Sequence, residues 1–175
     1  MGGQNKGLIQ VEGKPLIEYV MSHIDPEIES RVISANDDLP RYQALGYPVI
    51  EDIFPGQLGP LCGMYSAMQF LNKEWLLVAP CDVPLLPHDY VERMISHDGS
   101  ARAYFAFDGT RQHSSCCLLH HSLKVDLLTH LQQKRLAVLR FLMEQQAQQI
   151  DFSDEAQCFA NINTPQQLEA LKLSV

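Results

Sequence analysis

Positive charge is scarce in this chain: 13 Lys and Arg stand against 21 Asp and Glu over 175 residues, a formal charge of -8. Nucleic acids and anionic membranes are held by clustered Lys and Arg, so neither is expected as a partner. A phosphorylated substrate stays open, because local dipoles and Mg2+ would hold it. Long apolar runs are missing as well. None approaches the roughly 18 residues of a membrane span, and the amino terminus has no basic segment leading into an apolar one. The expectation is a cytoplasmic protein. Paired C-x-x-C cysteines are absent too. Cys62, Cys81, Cys116, Cys117 and Cys158 are odd in number, and three lie in apolar surroundings. They read as small reduced core residues, which suggests neither a zinc site nor a disulfide framework. The histidines show no ligand spacing: His120-His121 reads as a solvated pair at a strand end, and His113 by itself reads as structural. No Ser-His-Asp or Cys-His arrangement stands out.

With 46% apolar residues, the chain suffices for one domain, 1–175, around one sizeable core. Its most informative stretch is Trp75 to Pro84, an apolar strand, expected to be buried on both faces, that leads to the lone carboxylate of Asp82. Elsewhere strands and helices alternate. A helix is expected from Pro15 to Met21, a strand from Ser30 to Ala35, and a helix from Leu39 to Leu45 stopped by Gly46. A strand from Pro48 to Asp52 and a helix from Leu61 to Leu71 precede the Trp75 strand. Beyond Asp82 come a helix from Pro87 to Ile95 and a hairpin of strands Ala101–Phe107 and His113–Leu119 joined through Asp108-Gly109. Two helices between Leu123 and Gln146, strands Gln149–Phe152 and Cys158–Ile162, and a helix capped by Thr164 complete the order. This is an α/β pattern: a mostly parallel sheet with helices on both faces and an antiparallel excursion at the hairpin.

In open α/β sheets, ligands collect outside the carboxyl ends of strands. Asp82 there reads either as the ligand of a phosphate-bound metal or as a cap on the turn before Pro84. Asp52 closes a neighbouring strand and reads either as an acceptor for the N–H edge of a purine or as a turn residue. Gly2, Gly3 and Gly7 surround Lys6; such glycines let amides approach an anion while the lysine supplies a point charge, and a plain flexible terminus is the alternative. The loop Gly59-Pro60-Leu61-Cys62-Gly63 opens a helix whose first amides are unpaired, or it is an ordinary tight turn. Asn161 and Asn163 offer donors and acceptors to a heterocycle, or cap the helix that follows.

In combination, M-G-G-x-x-K-G-L (Met1 to Leu8), G-K-P-L (Gly13 to Leu16), S-A-N (Ser34 to Asn36), Glu51-Asp52, G-P-L-C-G (Gly59 to Gly63), P-C-D-V-P (Pro80 to Pro84) and N-I-N-T-P (Asn161 to Pro165) resemble the molybdenum cofactor guanylyltransferases. The order and spacing match along nearly the whole chain. The resemblance implies a Rossmann-like nucleotidyltransferase that joins GMP from GTP to molybdopterin and releases pyrophosphate with Mg2+. It implies that Lys6 holds the triphosphate, that Asp82 binds Mg2+, and that these two are the catalytic pair. Gly2, Gly3, Ser34, Asp52, Gly59, Pro60 and Leu61 would complete the GTP site, and Asn161 and Asn163 the molybdopterin side. Cofactor-pathway proteins and molybdoenzymes are the implied protein partners. Family members begin with a buried strand and L-A-G-G-x-x-x-R-M-G-G, whereas this chain starts at the Met of that motif. The expectation is a sheet without its first strand and a longer natural protein. Ser34 also stands where several members have Asn. A cytidylyl- or sugar-phosphate nucleotidyltransferase, or a non-catalytic molybdopterin-binding protein, are the competing readings.

Overall fold

The computed structural model describes residues 5–24, 28, 30–56, 58–162 and 167. Gly2, Gly3, Asn163 and the helix expected after Thr164 lie outside the described residues. A 3-10 turn, Lys6–Leu8, leads into the short antiparallel pair β1 (Gln10–Val11) and β2 (Lys14–Pro15) and then α1 (Leu16–His23), with Pro15 at its N-cap. Next come β3 (Ile33–Ser34), α2 (Leu39–Gln43), β4 (Val49–Ile50), α3 (Pro60–Leu71), β5 (Trp75–Val78) and α4 (Tyr90–Ile95). The chain continues through β6 (Ala103–Phe107), β7 (Gln112–His120), α5 (Lys124–Gln132), α6 (Val138–Glu144) and β8 (Gln148–Asp151).

β3 and β4 pair in parallel. The larger sheet has the order β5-β7-β6-β8, with β7 antiparallel to β5 and β6, and β8 parallel to β6. The expectation of a mostly parallel sheet is corrected to this extent: among the described residues, β7 contributes two antiparallel ladders to that sheet and only one ladder in it is parallel. The reason is the hairpin, which sets β7 centrally between two strands that run the other way.

Alternation along β6 and β7 separates two apolar layers. Phe105, Cys117 and Leu119 face the layer filled by α3, α5 and α6 through Leu61, Met68, Leu127 and Phe141. Tyr104, Cys116 and Leu118 face the layer of Val83, Leu86, Tyr90 and Met94 around α4. Helices therefore cover both faces, as the pattern predicts. β5 departs from its reading, since only Leu76 of its four residues is buried. Among the described residues β5 pairs with β7 alone, so it is an edge and its side chains keep partial exposure. β3 likewise pairs with β4 alone. α3 packs against β3, β4 and β5, bridging the two sheets.

A second correction concerns the carboxyl end. Cys158–Ile162 is not a strand: Ser153–Phe159 forms 3-10 turns, closed by Ala160 N donating to the Gln157 carbonyl at 3.3 Å, and the segment that follows is tied to the Asp82 loop by a bond from Ile162 N to the Asp82 carbonyl, 2.7 Å. Asp151 accepts from Ser153 N at 2.9 Å and turns the backbone out of the extended conformation.

Candidate active site

The register of β3 on β4 sets Ser34 beside Ile50, so the residues two beyond each, Asn36 and Asp52, leave the strands side by side. Asn36 Nδ2 donates to Asp52 Oδ2 at 2.9 Å, and Asp52 N donates to Asn36 Oδ1 at 2.8 Å. Ser66 on α3 anchors the next residue, its hydroxyl accepting from Ile53 N at 2.9 Å while donating to the Cys62 carbonyl at 2.9 Å. The carboxylate is thus fixed through side chain and backbone together. Around it Ser34, Asn36, Asp52, Gly59, Pro60 and Gly63 line a cavity of about 300 Å³.

Two glycines shape this cavity. Gly59, the N-cap of α3, has φ +67° and ψ -168°, a region that side chains with a Cβ avoid. A Cβ on Gly63 would stand 2.8 Å from Ser34 Oγ and 3.6 Å from Asp52 Oδ1, so the bare backbone there is what keeps the space open. Cys62 beside it is inert as a nucleophile, since burial, with the Asp52 carboxylate near, pushes its thiol up. The Leu61 side chain is fully buried in the core, so what Leu61 offers a ligand is its backbone at the start of α3, as the unpaired first amides of that helix imply.

The second half of the site is a charge pair. Lys6 Nζ lies 3.4 Å from Asp82 Oδ2, bringing together residues 76 apart in sequence. Their side chains are 51% and 20% exposed, so both are reachable from solvent. Lys6 is positioned by its 3-10 turn, in which Leu8 N donates to Asn5 O and Ile9 N to Lys6 O, each at 3.1 Å. Tyr42 OH pins the turn by donating to Asn5 Oδ1 at 2.6 Å, and burial pushes that phenol up to about 12, so it stays a donor. A Cβ on Gly7 would meet the Tyr42 hydroxyl at 2.5 Å and Cys81 Cβ at 3.4 Å; the lysine turn can sit against the Asp82 loop only because residue 7 has no side chain. The Cys81 thiol, pushed up to about 11 by burial, stays protonated beside the acid.

Asp82 follows β5 by four residues and is held by the bond from Ile162 N to its carbonyl. That bond ties the segment that carries the exposed Asn161 to the Asp82 loop. Among the described residues, no group of three or more His, Cys, Asp or Glu is placed to hold a metal ion. This fits Mg2+ in one form. Mg2+ that arrives on a nucleotide keeps phosphate oxygens and waters as ligands and needs only one or two carboxylates from the protein. Asp82 meets that need, since its only side-chain hydrogen bond among the described residues is the long one from Lys6.

Of the expected site residues, Ser34, Asp52, Gly59 and Pro60 share the cavity, and Lys6 with Asp82 forms the pair. The residue that sequence reasoning missed as a site residue is Asn36, although it lies inside the S-A-N motif. Its signal was an amide just beyond one strand end with an acid just beyond the next.

Residues 1–150 match the family described as the MobA-like NTP transferase domain. The molybdenum cofactor guanylyltransferase of Yersinia pestis (strain Pestoides F) is 41% identical over 165 residues, covering 94% of this chain and 85% of that protein. The enzyme of the same name from Yersinia pseudotuberculosis serotype O:1b (strain IP 31758) is also 41% identical over 165 residues, with the same coverage of both chains. Among solved structures, molybdopterin-guanine dinucleotide biosynthesis protein A from Archaeoglobus fulgidus superposes with a TM-score of 0.77 at 19% identity, over 98% of this chain and 91% of that one. A CMP:2-keto-3-deoxy-manno-octonic acid synthetase complexed with CTP gives 0.69 at 12% identity, over 97% and 90%. At such identities these two structures speak for the fold, and the relatives of higher identity for the family: the chain belongs to the molybdenum cofactor guanylyltransferases and is a nucleotidyltransferase.

Proposed function

We propose that this chain, as a single domain, transfers GMP from GTP to molybdopterin, with GTP lying from the Asp52 cavity to the Lys6–Asp82 pair and molybdopterin on the Asn161 side. The observation that carries this reading is the approach of Lys6 Nζ to Asp82 Oδ2 at 3.4 Å at the end of the sheet. Asp52, with Oδ2 engaged by Asn36, reads the N–H edge of guanine. Ser34, Gly59 and Pro60 border the base, with Leu61 contributing backbone only. Lys6, together with Gly2 and Gly3, holds the triphosphate. Asp82 would hold Mg2+, which neutralises triphosphate charge. Asn161 and Asn163 orient the acceptor.

An oxygen of the acceptor phosphate bonds to the α-phosphorus while the bond from that phosphorus to the β-bridging oxygen breaks, and pyrophosphate leaves with the electron pair. The attacking phosphate is already ionised, so no general base is needed. What this chain supplies is in-line positioning and charge compensation. We further propose that a strand fills the space between the edges of β3 and β5 that are unpaired among the described residues, and that the reaction runs in the cytoplasm, where free thiols such as these five cysteines persist. Molybdoenzymes and cofactor-pathway proteins would receive the product.

The test is equilibrium binding of GTP with Mg2+ to the 175-residue chain, its Lys6→Ala and Asp82→Asn variants, and a form extended upstream by a strand and a full glycine loop. Each substitution is expected to weaken binding by about tenfold or more. GTP bound equally well by both variants would sink the assignment of Lys6 and Asp82. Equal binding by the extended form would remove the added strand from nucleotide capture.

A further inference from the structure

One acid–histidine couple has no role in the nucleotide site. His113 Nε2 and Asp108 Oδ2 are 2.6 Å apart, with side chains 15% and 8% exposed. The other oxygen, Asp108 Oδ1, accepts from Thr110 N at 2.8 Å, Thr110 Oγ1 at 2.8 Å and Arg111 N at 2.6 Å. Burial alone would raise the Asp108 carboxyl, but the His113, Arg111 and Thr110 donors outweigh it and hold the group well below the usual carboxylate range. An ionised carboxylate only accepts, so His113 must donate its Nε2 proton, and in the neutral imidazole Nδ1 is then a lone-pair acceptor. Nδ1 has no hydrogen-bond partner among the described residues.

The position of the couple is as specific as its chemistry. β7 is irregular just there: His113 pairs with Ala106 and Cys117 with Phe105, so three residues of β7 span one step of β6. Bulges of this kind re-aim side chains and gather beside active sites. The bulge includes Cys116, which is near enough to Asp82 to sense its charge. The His113 ring stacks on Phe159 with centroids 4.7 Å apart, and Phe159 lies two residues before Asn161. His113 therefore lies beside the segment that brings Asn161 to the Asp82 loop.

We propose that His113 is a recognition residue for the acceptor substrate, its Nδ1 accepting a hydrogen bond from an N–H of the pterin while Asp108 fixes the proton on Nε2. This rests on the reading above that the Asn161 side receives molybdopterin. Two substitutions separate recognition from structure. His113→Gln keeps an amide N–H for Asp108 and removes Nδ1. Asp108→Asn keeps the shape and the turn acceptor but offers an N–H to Nε2, which moves the ring proton to Nδ1 and turns the acceptor into a donor.

Equilibrium dialysis against molybdopterin, and separately against GTP with Mg2+, is performed on wild type and both variants, with urea midpoints alongside. Each variant is expected to bind molybdopterin about tenfold more weakly while GTP binding holds; the midpoint holds in His113→Gln and falls in Asp108→Asn, which gives up the ionised carboxylate. Molybdopterin bound within about twofold of wild type by His113→Gln would overturn the proposal, and that variant decides alone if Asp108→Asn does not fold. Parallel loss of both ligands with a lowered midpoint would also overturn it, as the mark of a structural pair. A wild-type chain that binds neither ligand defeats the molybdopterin reading as well, whereas wild-type binding matched by the variants defeats only this one.

Discussion

Asn36 and Asp52 are oriented by each other, and neither is positioned by its own stretch of chain alone. Removing Asn36 frees one carboxylate oxygen and releases the backbone N–H of Asp52 from its partner. Asn36→Ala is expected to weaken GTP binding by about tenfold with little effect on molybdopterin, measured by titration with each ligand. Gly63→Ala acts on the same cavity by filling it. Its new methyl would meet Ser34 Oγ at 2.8 Å, so the serine rotates or the cavity narrows, and GTP affinity falls while thermal stability holds. Unchanged affinity would show that the base does not lie over Gly63. Asp52 and Asp82 could be picked out of the sequence because each follows an apolar strand. Asn36 left only the faint signal of an amide beyond one strand end with an acid beyond the next, because its partnership with Asp52 comes from the pairing of Ile33 with Val49, a register that is a property of two segments at once.

At the scale of elements, one arginine clamps the layer around α4. Arg93 on α4 donates to Asp154 Oδ1 at 2.9 Å and to the Asp151 carbonyl, and its guanidinium lies 4.2 Å from the Phe152 ring centroid. Arg93→Met would keep much of the aliphatic packing and lose the hydrogen bonds and the cation–π contact. The expected cost is about 1 to 3 kcal/mol, read from urea unfolding; a change below about 0.5 kcal/mol would mean that the clamp adds nothing to packing. α1 is legible because apolar positions recur at helical spacing from Pro15 to Met21, α3 because a Pro- and Gly-rich loop leads into it, and α5 and α6 fall within the Leu- and Gln-rich segment read as two helices. The stretch from Cys158 to Ile162 was misread because a short apolar run carries no period of its own. What bends it is the polar turn at Asp151 and Ser153 just upstream. β5 was misjudged for a different reason: apolar sequence reports what a strand can bury, not which neighbours it has.

For the whole molecule, acid should act in two stages. Burial, with His88 nearby, lowers His23, whose buried Nδ1 has no hydrogen-bond partner among the described residues. Its folded value lies below the ordinary 6.5, so the stability linked to it is present above about pH 6.5 and is lost as pH falls through that folded value. Asp98, Asp108, Glu144 and Asp154 are all lowered, held respectively by Ser100, by the turn donors with His113, by Arg140 and by Arg93. Their contribution is complete above about pH 4 and is lost below it, as the native carboxylates are forced to take up protons. Urea unfolding at about pH 7.5, 5.5 and 3.5 is expected to show two successive drops, with His23→Phe removing the first. A flat profile from 7.5 to 5.5 in the wild type would contradict the role of His23.

The sequence by itself determined the alternation of strands and helices, the acids at strand ends, the lysine within its glycines and the family to which these belong. Those features follow from local periodicity and from the spacing of residues along one chain. Only the tertiary structure decided that β7 enters the sheet between β5 and β6, that Asn36 holds Asp52, that Lys6 meets Asp82 and that His113 is committed to Asp108 beside Phe159. Each of these depends on the register and packing of two or more segments, and no single stretch of sequence encodes such a relation.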